Sequence, residues 1–284
     1  LSPRPAIVRT VSDLRQQVAA WRAAGKRVAM VPTMGALHAG HLSLVRLGLE
    51  TCDHVVASIF VNPAQFAPHE DFDAYPRGEG RDADLLGEAG CELIFAPGVE
   101  VMYPPGFATA VTVAGVSGPL EGEKRPQFFG GVATVVSKLL IQCGPDVALF
   151  GEKDYQQLLV IKRMARDLDL PVEIIGGPTV READGLAMSS RNAYLSAEER
   201  KTAAVVPAVM AEAVEALRGG AAVGQVEAAA VARLEAAGFG PVDYVQAHDG
   251  DTMERLGPGP VGTGARVFVA AWLGRTRLID NWAV

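Results

Sequence analysis

The run Arg27-Val28-Ala29-Met30-Val31 is followed at once by Pro32-Thr33-Met34-Gly35-Ala36-Leu37-His38-Ala39-Gly40-His41, and then by Leu42, Val45 and Leu49 at helical spacing. The short apolar run reads as a strand, the two glycines mark a loop, and the three-to-four-residue apolar repeat reads as a helix. Strand, glycine-bearing loop and helix in this order place a helix N-terminus at the carboxyl end of a strand, where open α/β sheets bind ligands.

Outward from this unit the same alternation continues. Upstream, Ser12 caps a helix through Leu14, Val18 and Trp21 that Gly25 ends. Downstream, 55–61 reads as a strand and 62–80, rich in Pro, Asp and Gly, as a long loop of the kind used for lids. Then come a helix over 81–89, strands over 92–95 and 107–113, a helix over 132–141, a strand over 147–150 ending at Gly151, a helix over 155–167 and a strand over 172–175. The alternation predicts an α/β fold, a Rossmann-like parallel sheet with helices on both faces.

After Gly176 the character changes. Ser196 and Glu199 form a capping box that opens a long helix toward Arg218. Gly219, Gly220 and the Ala-rich stretch to Ala237 indicate two helices with a join, and 242–247, 267–272 and 276–280 alternate like strands, with a Gly/Pro turn over 257–264. This part reads as a smaller C-terminal α+β domain with a short antiparallel sheet. The boundary falls near 176–180, giving domains of 1–177 and 178–284.

The 284 residues are 49% hydrophobic and 21% charged, enough apolar surface for a sizeable core. A net charge of -7 without a Lys/Arg block argues against a nucleic-acid partner. A polyanionic substrate must therefore meet local cations. Cys52, Cys91 and Cys143 are odd in number and widely spaced, which points to buried reduced thiols. No signal-like apolar core opens the chain and no run reaches bilayer length, so the expectation is a cytoplasmic protein with no membrane partner.

His38 and His41 lie three apart at the opening of a helix, on one face. First-turn amides favour an anion, and Gly35 and Gly40 permit close backbone approach, so the pair suits phosphate oxygens. By itself H-x-x-H also fits two unrelated, partly exposed histidines, or a zinc pair that lacks the Glu of H-E-x-x-H and a third ligand. Lys153 follows Gly151 at a strand end, where a cation can meet a phosphate or simply be solvated. Asp154 can accept from a ribose hydroxyl or cap a helix. Asn62 and Gln65 follow another strand end, and Gln157 lies one turn into a helix; amides suit a hydroxy acid, or exposed surface. Ser189, Ser190 and Arg191 form a polar cluster suited to phosphate, or a serine cap beside a surface arginine.

The string from Pro32 to His41 resembles the H-x-G-H signature of the nucleotidyltransferase superfamily, which includes the class I aminoacyl-tRNA synthetases. Three further strings resemble motifs of the pantothenate synthetase (pantoate–β-alanine ligase) family: Ile59 to Phe66 (IFVNPAQF), Phe150 to Gln157 (FGEKDYQQ) and Asp184 to Asn192 (DGLAMSSRN). The tail Ala270-Ala271-Trp272-Leu273-Gly274 with Arg277-Leu278-Ile279-Asp280-Asn281 is similar too, so the resemblance spans about residues 5 to 282. It implies ATP contacts from Met34, Gly35, Gly40, His41, Gly151, Lys153, Asp154, Val180, Met188, Ser189, Ser190 and Arg191. It implies catalytic duty for His38, His41, Lys153 and Arg191, and binding of (R)-pantoate and β-alanine by Asn62, Gln65 and Gln157. The Met188-Ser189-Ser190-Arg191 segment looks like the counterpart of the synthetases' mobile K-M-S-K-S loop. The resemblance further implies ATP with Mg²⁺, no protein-bound metal site, a homodimer, and a pantoyl-adenylate intermediate with AMP and pyrophosphate released. Either the 62–80 loop or the C-terminal domain, as a lid, is expected to close over that intermediate.

One position departs from the family pattern. Where R-P-x-H-F-x-G-V is usual, this chain has Arg125-Pro126-Gln127-Phe128-Phe129-Gly130-Gly131-Val132, with Phe128 in place of histidine. A phenyl ring cannot donate to a carboxylate, so handling of β-alanine is expected to differ. The rival readings are an adenylyltransferase that releases a nucleotide conjugate, a non-catalytic ATP-binding module, and, more distantly, a zinc hydrolase.

Overall fold

In a computed structural model of the chain, which describes residues 4–67 and 72–284, strands and helices alternate from Ala6 to Gly177 except for three successive helices between Val99 and Cys143. In order they are β1 (Ala6–Val8), α1 (Val11–Ala23), β2 (Val28–Thr33), α2 (Ala39–Thr51), β3 (His54–Ile59), α3 (Glu79–Glu88), β4 (Leu93–Phe95), α4 (Val99–Met102), α5 (Glu121–Lys124), α6 (Phe128–Cys143), β5 (Val147–Gly151), α7 (Tyr155–Asp167) and β6 (Glu173–Gly177). The strands form a six-stranded sheet in the order β1-β4-β3-β2-β5-β6, with every ladder parallel. This is the expected Rossmann-like sheet.

The strand order fixes where a ligand can enter. β2 leads through α2 to β3 on one side, and β5 leads through α7 to β6 on the other. The two crossovers diverge, so a crevice opens at the carboxyl ends of β2 and β5. Ala29 pairs with Val147 and Met30 with Ala148, so the turns after Thr33 and Gly151 leave the sheet at the same end. Val28, Ala29, Met30 and Val31 are fully buried, as a strand covered on both faces requires. Small residues let α2 lie close on the sheet: a Cβ on Gly48 would meet Val55, Ala29 and Leu149 at 3.1–3.2 Å, and one on Gly177 would meet Leu44 Cδ2 at 2.2 Å.

The second half holds α8 (Ala197–Ala203), α9 (Val205–Arg218), α10 (Val223–Ala236), β7 (Val242–Asp249), β8 (Ala265–Leu273) and β9 (Thr276–Ala283). The three strands pair antiparallel in the order β7-β8-β9. Met210 and Leu234 from the helices bury with Val245, Val267 and Val269 from the sheet. The chain divides into two compact units. One runs to Glu152 and resumes over Gln156–Pro178; the other takes Lys153–Tyr155 and Thr179–Val284.

Several local expectations are corrected. The cap of α1 is Thr10, whose hydroxyl oxygen accepts from the Asp13 amide at 3.1 Å, not Ser12. Residues 107–113 join no ladder among the described residues; the Val111 amide donates instead to Thr134 Oγ1 at 2.9 Å. Strand propensity alone does not make a strand where no ladder partner is engaged. The helix opened by Ser196 breaks after Ala203, because Pro207 has no N–H to give the Ala203 carbonyl. The expected loop over 62–80 is partly ordered: Pro63–Gln65 form a 3₁₀ turn and α3 begins at Glu79, while 68–71 lie outside the described residues. Among the described residues no helix is long and apolar enough to cross a membrane.

Candidate active site

The turn after β2 is built before any ligand arrives. Thr33 Oγ1 donates to the Ser58 carbonyl at 2.6 Å and accepts from the Gly35 amide at 3.1 Å. Gly35 (φ +81°) and Ala36 (φ +52°) both lie in the left-handed region. For alanine that conformation costs about 1 kcal/mol or more. The opposing interaction comes from Asp82 on α3, only 2% exposed, whose carboxylate oxygens accept from the Ala36 and Leu37 amides, each at 2.9 Å. Charge-assisted bonds of this kind contribute about 1.5–3 kcal/mol each, which exceeds the backbone cost. The close approach permitted by Gly35 is to this carboxylate: an added Cβ would lie 2.9 Å from Asp82 Oδ2.

His38 is the N-cap of α2. Its Nδ1 accepts from the Gly40 amide at 3.1 Å, and Nδ1 of His41 accepts from the His38 amide at 3.4 Å. A nitrogen that accepts carries no proton, so each neutral imidazole keeps its proton on Nε2 and is a donor there. The rings lie 4.2 Å apart between centroids, and the first turn of α2 contains no acidic residue to compete with a bound anion. The two imidazoles are thus neighbours at the opening of α2.

Next along the sheet end, Asn62 is 1% exposed and its side-chain amide is fully engaged. Nδ2 donates to Gln65 Oε1 and to the Gly131 carbonyl, both at 3.1 Å, while Oδ1 accepts from the Ala64 amide at 3.3 Å and the Tyr103 hydroxyl at 2.7 Å. Burial pushes the Tyr103 hydroxyl up to about 12, against the smaller opposite effect of Asn62, so at neutral pH it is a donor. Gln65 Nε2 in turn donates to Met34 Sδ at 3.1 Å. α6 reaches this turn through Gly131, where a Cβ would lie 2.3 Å from the Ala64 carbonyl oxygen. Arg125 donates to the Gln65 carbonyl at 3.4 Å, pairs with Glu121 at 3.5 Å and lies 3.8 Å above the Phe128 ring. Phe128 thus supplies an aromatic face to a guanidinium. Of the adjacent glutamines on α7, Gln156 is buried and holds the Val116 and Pro119 carbonyls at 2.9 and 2.7 Å; Gln157 is half-buried.

In the second unit the candidates form two local groups. Lys153 pairs with Asp154 at 3.8 Å, and the Lys153 carbonyl accepts from Asn281 Nδ2 at 2.9 Å. Arg266 donates to Asn281 Oδ1 and lies 3.8 Å above the Tyr155 ring, which ties 153–155 to β8 and β9. The other group is a hairpin in which the Met188 amide donates to the Val180 carbonyl at 3.0 Å, followed by the 3₁₀ turn Ser190–Tyr194 capped by Ser189 Oγ. Two arginines brace it through three ion pairs. Arg181 forks onto Asp280 at 2.7 and 3.0 Å, and Arg200 reaches Glu182 and Asp184, both at 2.6 Å. Glu182 also accepts from Asn192 Nδ2 at 3.0 Å, next to Arg191. Hydrogen bonding to Arg200, ahead of the opposing effect of burial, holds the Asp184 carboxyl below its ordinary range. Among the described residues no three His, Cys, Asp or Glu side chains gather as a metal site.

Asp82, Glu182 and Arg200 escaped the sequence reading. Asp82 lies 46 positions from Ala36 and Arg200 lies 18 from Glu182, and no spacing rule connects them.

The family described as pantoate-beta-alanine ligase matches residues 6–283. A pantothenate synthetase from Caulobacter vibrioides is 64% identical over 281 residues, covering 99% of both chains. Of solved structures, a pantothenate synthetase from Thermus thermophilus is 48% identical with a TM-score of 0.90, covering 98% of both chains. A pantoate-beta-alanine ligase from Francisella tularensis, complexed with beta-gamma ATP and beta-alanine, is 30% identical with a TM-score of 0.82, over 98% of this chain and 97% of that one.

Proposed function

The chain belongs to the pantoate–β-alanine ligase family, and from that premise we propose how its residues divide the work of joining pantoate to β-alanine with ATP. The reaction forms a C–N bond. A free carboxylate does not yield an amide at neutral pH because oxide is a poor leaving group. Transfer of AMP to the acid supplies a good one: the pantoate carboxylate attacks the α-phosphorus, pyrophosphate leaves, the β-alanine amine attacks the acyl carbon, and AMP leaves.

The first step brings two anions together, so fixed donors must offset the charge that builds up. His38 and His41 take this role with their Nε2–H groups, beside the α2 amides. Their paired Nδ1 contacts are the observation that carries the reading. Lys153 and Arg191 supply full positive charge to the phosphates. Met34, Gly35, Gly40, Gly151, Asp154, Val180, Met188, Ser189 and Ser190 complete the nucleotide contacts in this reading. Mg²⁺ enters with ATP as part of the substrate, carried by phosphate oxygens and water, as such ions usually are. Gln65 and Gln157 hold pantoate, with Gln65 also bordering β-alanine. Asn62, whose own amide is saturated by protein groups, serves to aim Gln65.

Cytoplasmic residence belongs to the same reading, supported by three buried free cysteines. So does a homodimer.

Product analysis by mass spectrometry tests the reading, with ATP, Mg²⁺, pantoate and β-alanine omitted one at a time. Pantothenate with AMP and pyrophosphate is expected only from the full mixture. A stable nucleotide conjugate, or ATP bound without AMP formed, would overturn it.

A further inference from the structure

We propose that Asp82 is a positioning residue for the adenylate-forming step, acting through the turn that carries His38 and His41. The inference rests on the ligase reading above and adds a residue to it.

Consecutive amides in an extended chain point in opposite directions, so one carboxylate cannot take both. In a turn, successive amides can instead converge into a concavity that holds an anion. Gly35 and Ala36 provide that backbone. The anion in the concavity is internal: Asp82 takes the Ala36 and Leu37 amides at 2.9 Å each. Leu37 directly precedes His38, so the carboxylate fixes the chain one residue before the cap. Three more observations bind Asp82 to this task. It is 2% exposed. Its own amide is anchored in the first turn of α3, donating to the Gly78 carbonyl at 2.9 Å. The residue it would collide with, were any side chain present, is Gly35. A buried carboxylate usually faces a cation or a metal; this one is met by two backbone amides of the candidate phosphate-binding turn. Asp82 need not touch substrate. Its effect is the placement of two imidazoles, where a shift of about 1 Å can cost about 10²-fold in rate.

The two chemical halves of the reaction separate this role from a merely structural one. Pantoate-dependent ATP–pyrophosphate exchange uses the phosphate-facing histidines. Aminolysis of chemically supplied pantoyl adenylate by β-alanine does not require pyrophosphate to leave. In Asp82→Asn, which turns one acceptor into a donor facing an N–H, exchange is expected to fall roughly 10-fold or more, with aminolysis within about threefold of wild type. In a His41→Ala background the same substitution should add less than about twofold, because the two act as one unit. Asp82→Glu, which keeps the charge and displaces it by one methylene, is measured alongside and should show the same selectivity if Asp82→Asn does not fold. Equal loss in both half-reactions, or an undiminished multiplicative loss on top of His41→Ala, overturns the proposal. If wild type itself fails to exchange pyrophosphate, the ligase reading falls and this inference with it.

Discussion

The side-chain amide of Gln65 donates to the sulfur of Met34 at 3.1 Å, linking the turn after β3 to the turn after β2. One residue is assigned to the acid and the other to the nucleotide, so their contact couples the two halves of the candidate site. Met34→Leu keeps the volume and removes the acceptor. It is expected to raise the KM for pantoate about three- to tenfold, the equivalent of about 0.5–1.5 kcal/mol, with little change in kcat. Steady-state kinetics check this, and an unchanged KM would show that Gln65 is aimed by Asn62 alone.

His41→Ala removes one of two preorganised donors. ATP–pyrophosphate exchange should fall by ~10²-fold or more, the usual effect of losing such a donor. Exchange within about twofold of wild type would remove His41 from the mechanism.

Gly131→Ala tests the seat of Gln65. The new Cβ would stand 2.3 Å from the Ala64 carbonyl oxygen and 2.7 Å from Gln65 Cα, both backbone atoms. The turn must move, at a stability cost of about 1–3 kcal/mol. A lower melting temperature and a raised KM for pantoate are expected together; a loss of stability with pantoate binding intact would separate the packing from the site.

Phe128→His restores the polar group usual in the family at a place where Arg125 now stacks 3.8 Å from the ring. Amide formation above pH 7 is expected to equal or exceed that of wild type. Below the ordinary histidine pKa of about 6.5, a protonated imidazole would repel the guanidinium, so the variant's rate should fall more steeply than wild type's. A clear loss of rate at pH 8 would mean that the pocket has been rebuilt around the ring.

Asp184 is held below its ordinary pKa mainly by its hydrogen bond to Arg200. A depressed carboxylate stabilises the fold at pH values above its unfolded pKa, and that stabilisation is lost as pH falls through the lower folded value. The difference in melting temperature between wild type and Asp184→Asn should therefore be present at pH 7 and close as pH drops below about 4. A difference independent of pH would assign the effect to packing.

The sequence by itself determined that a parallel sheet forms and which turns carry the signatures, though it did not reveal β1 (Ala6–Val8). The unbroken apolar run at 28–31 and the repeat of about 3.6 residues after His41 are local signals, and β2 and α2 form where they place them. The histidine pair was legible from its spacing of three at a helix opening, where His38 is the extended cap and His41 lies in the first turn. Only the tertiary structure decided what holds those turns in place. Asp82 lies 46 positions from Ala36, and Asn281 lies 128 from Lys153. Contacts across such distances depend on which strands become neighbours, and no local period encodes that. The unladdered 107–113 stretch marks the same boundary: its residues favour a strand, but the Val111 amide is taken by the Thr134 hydroxyl, 23 positions away, and no ladder forms.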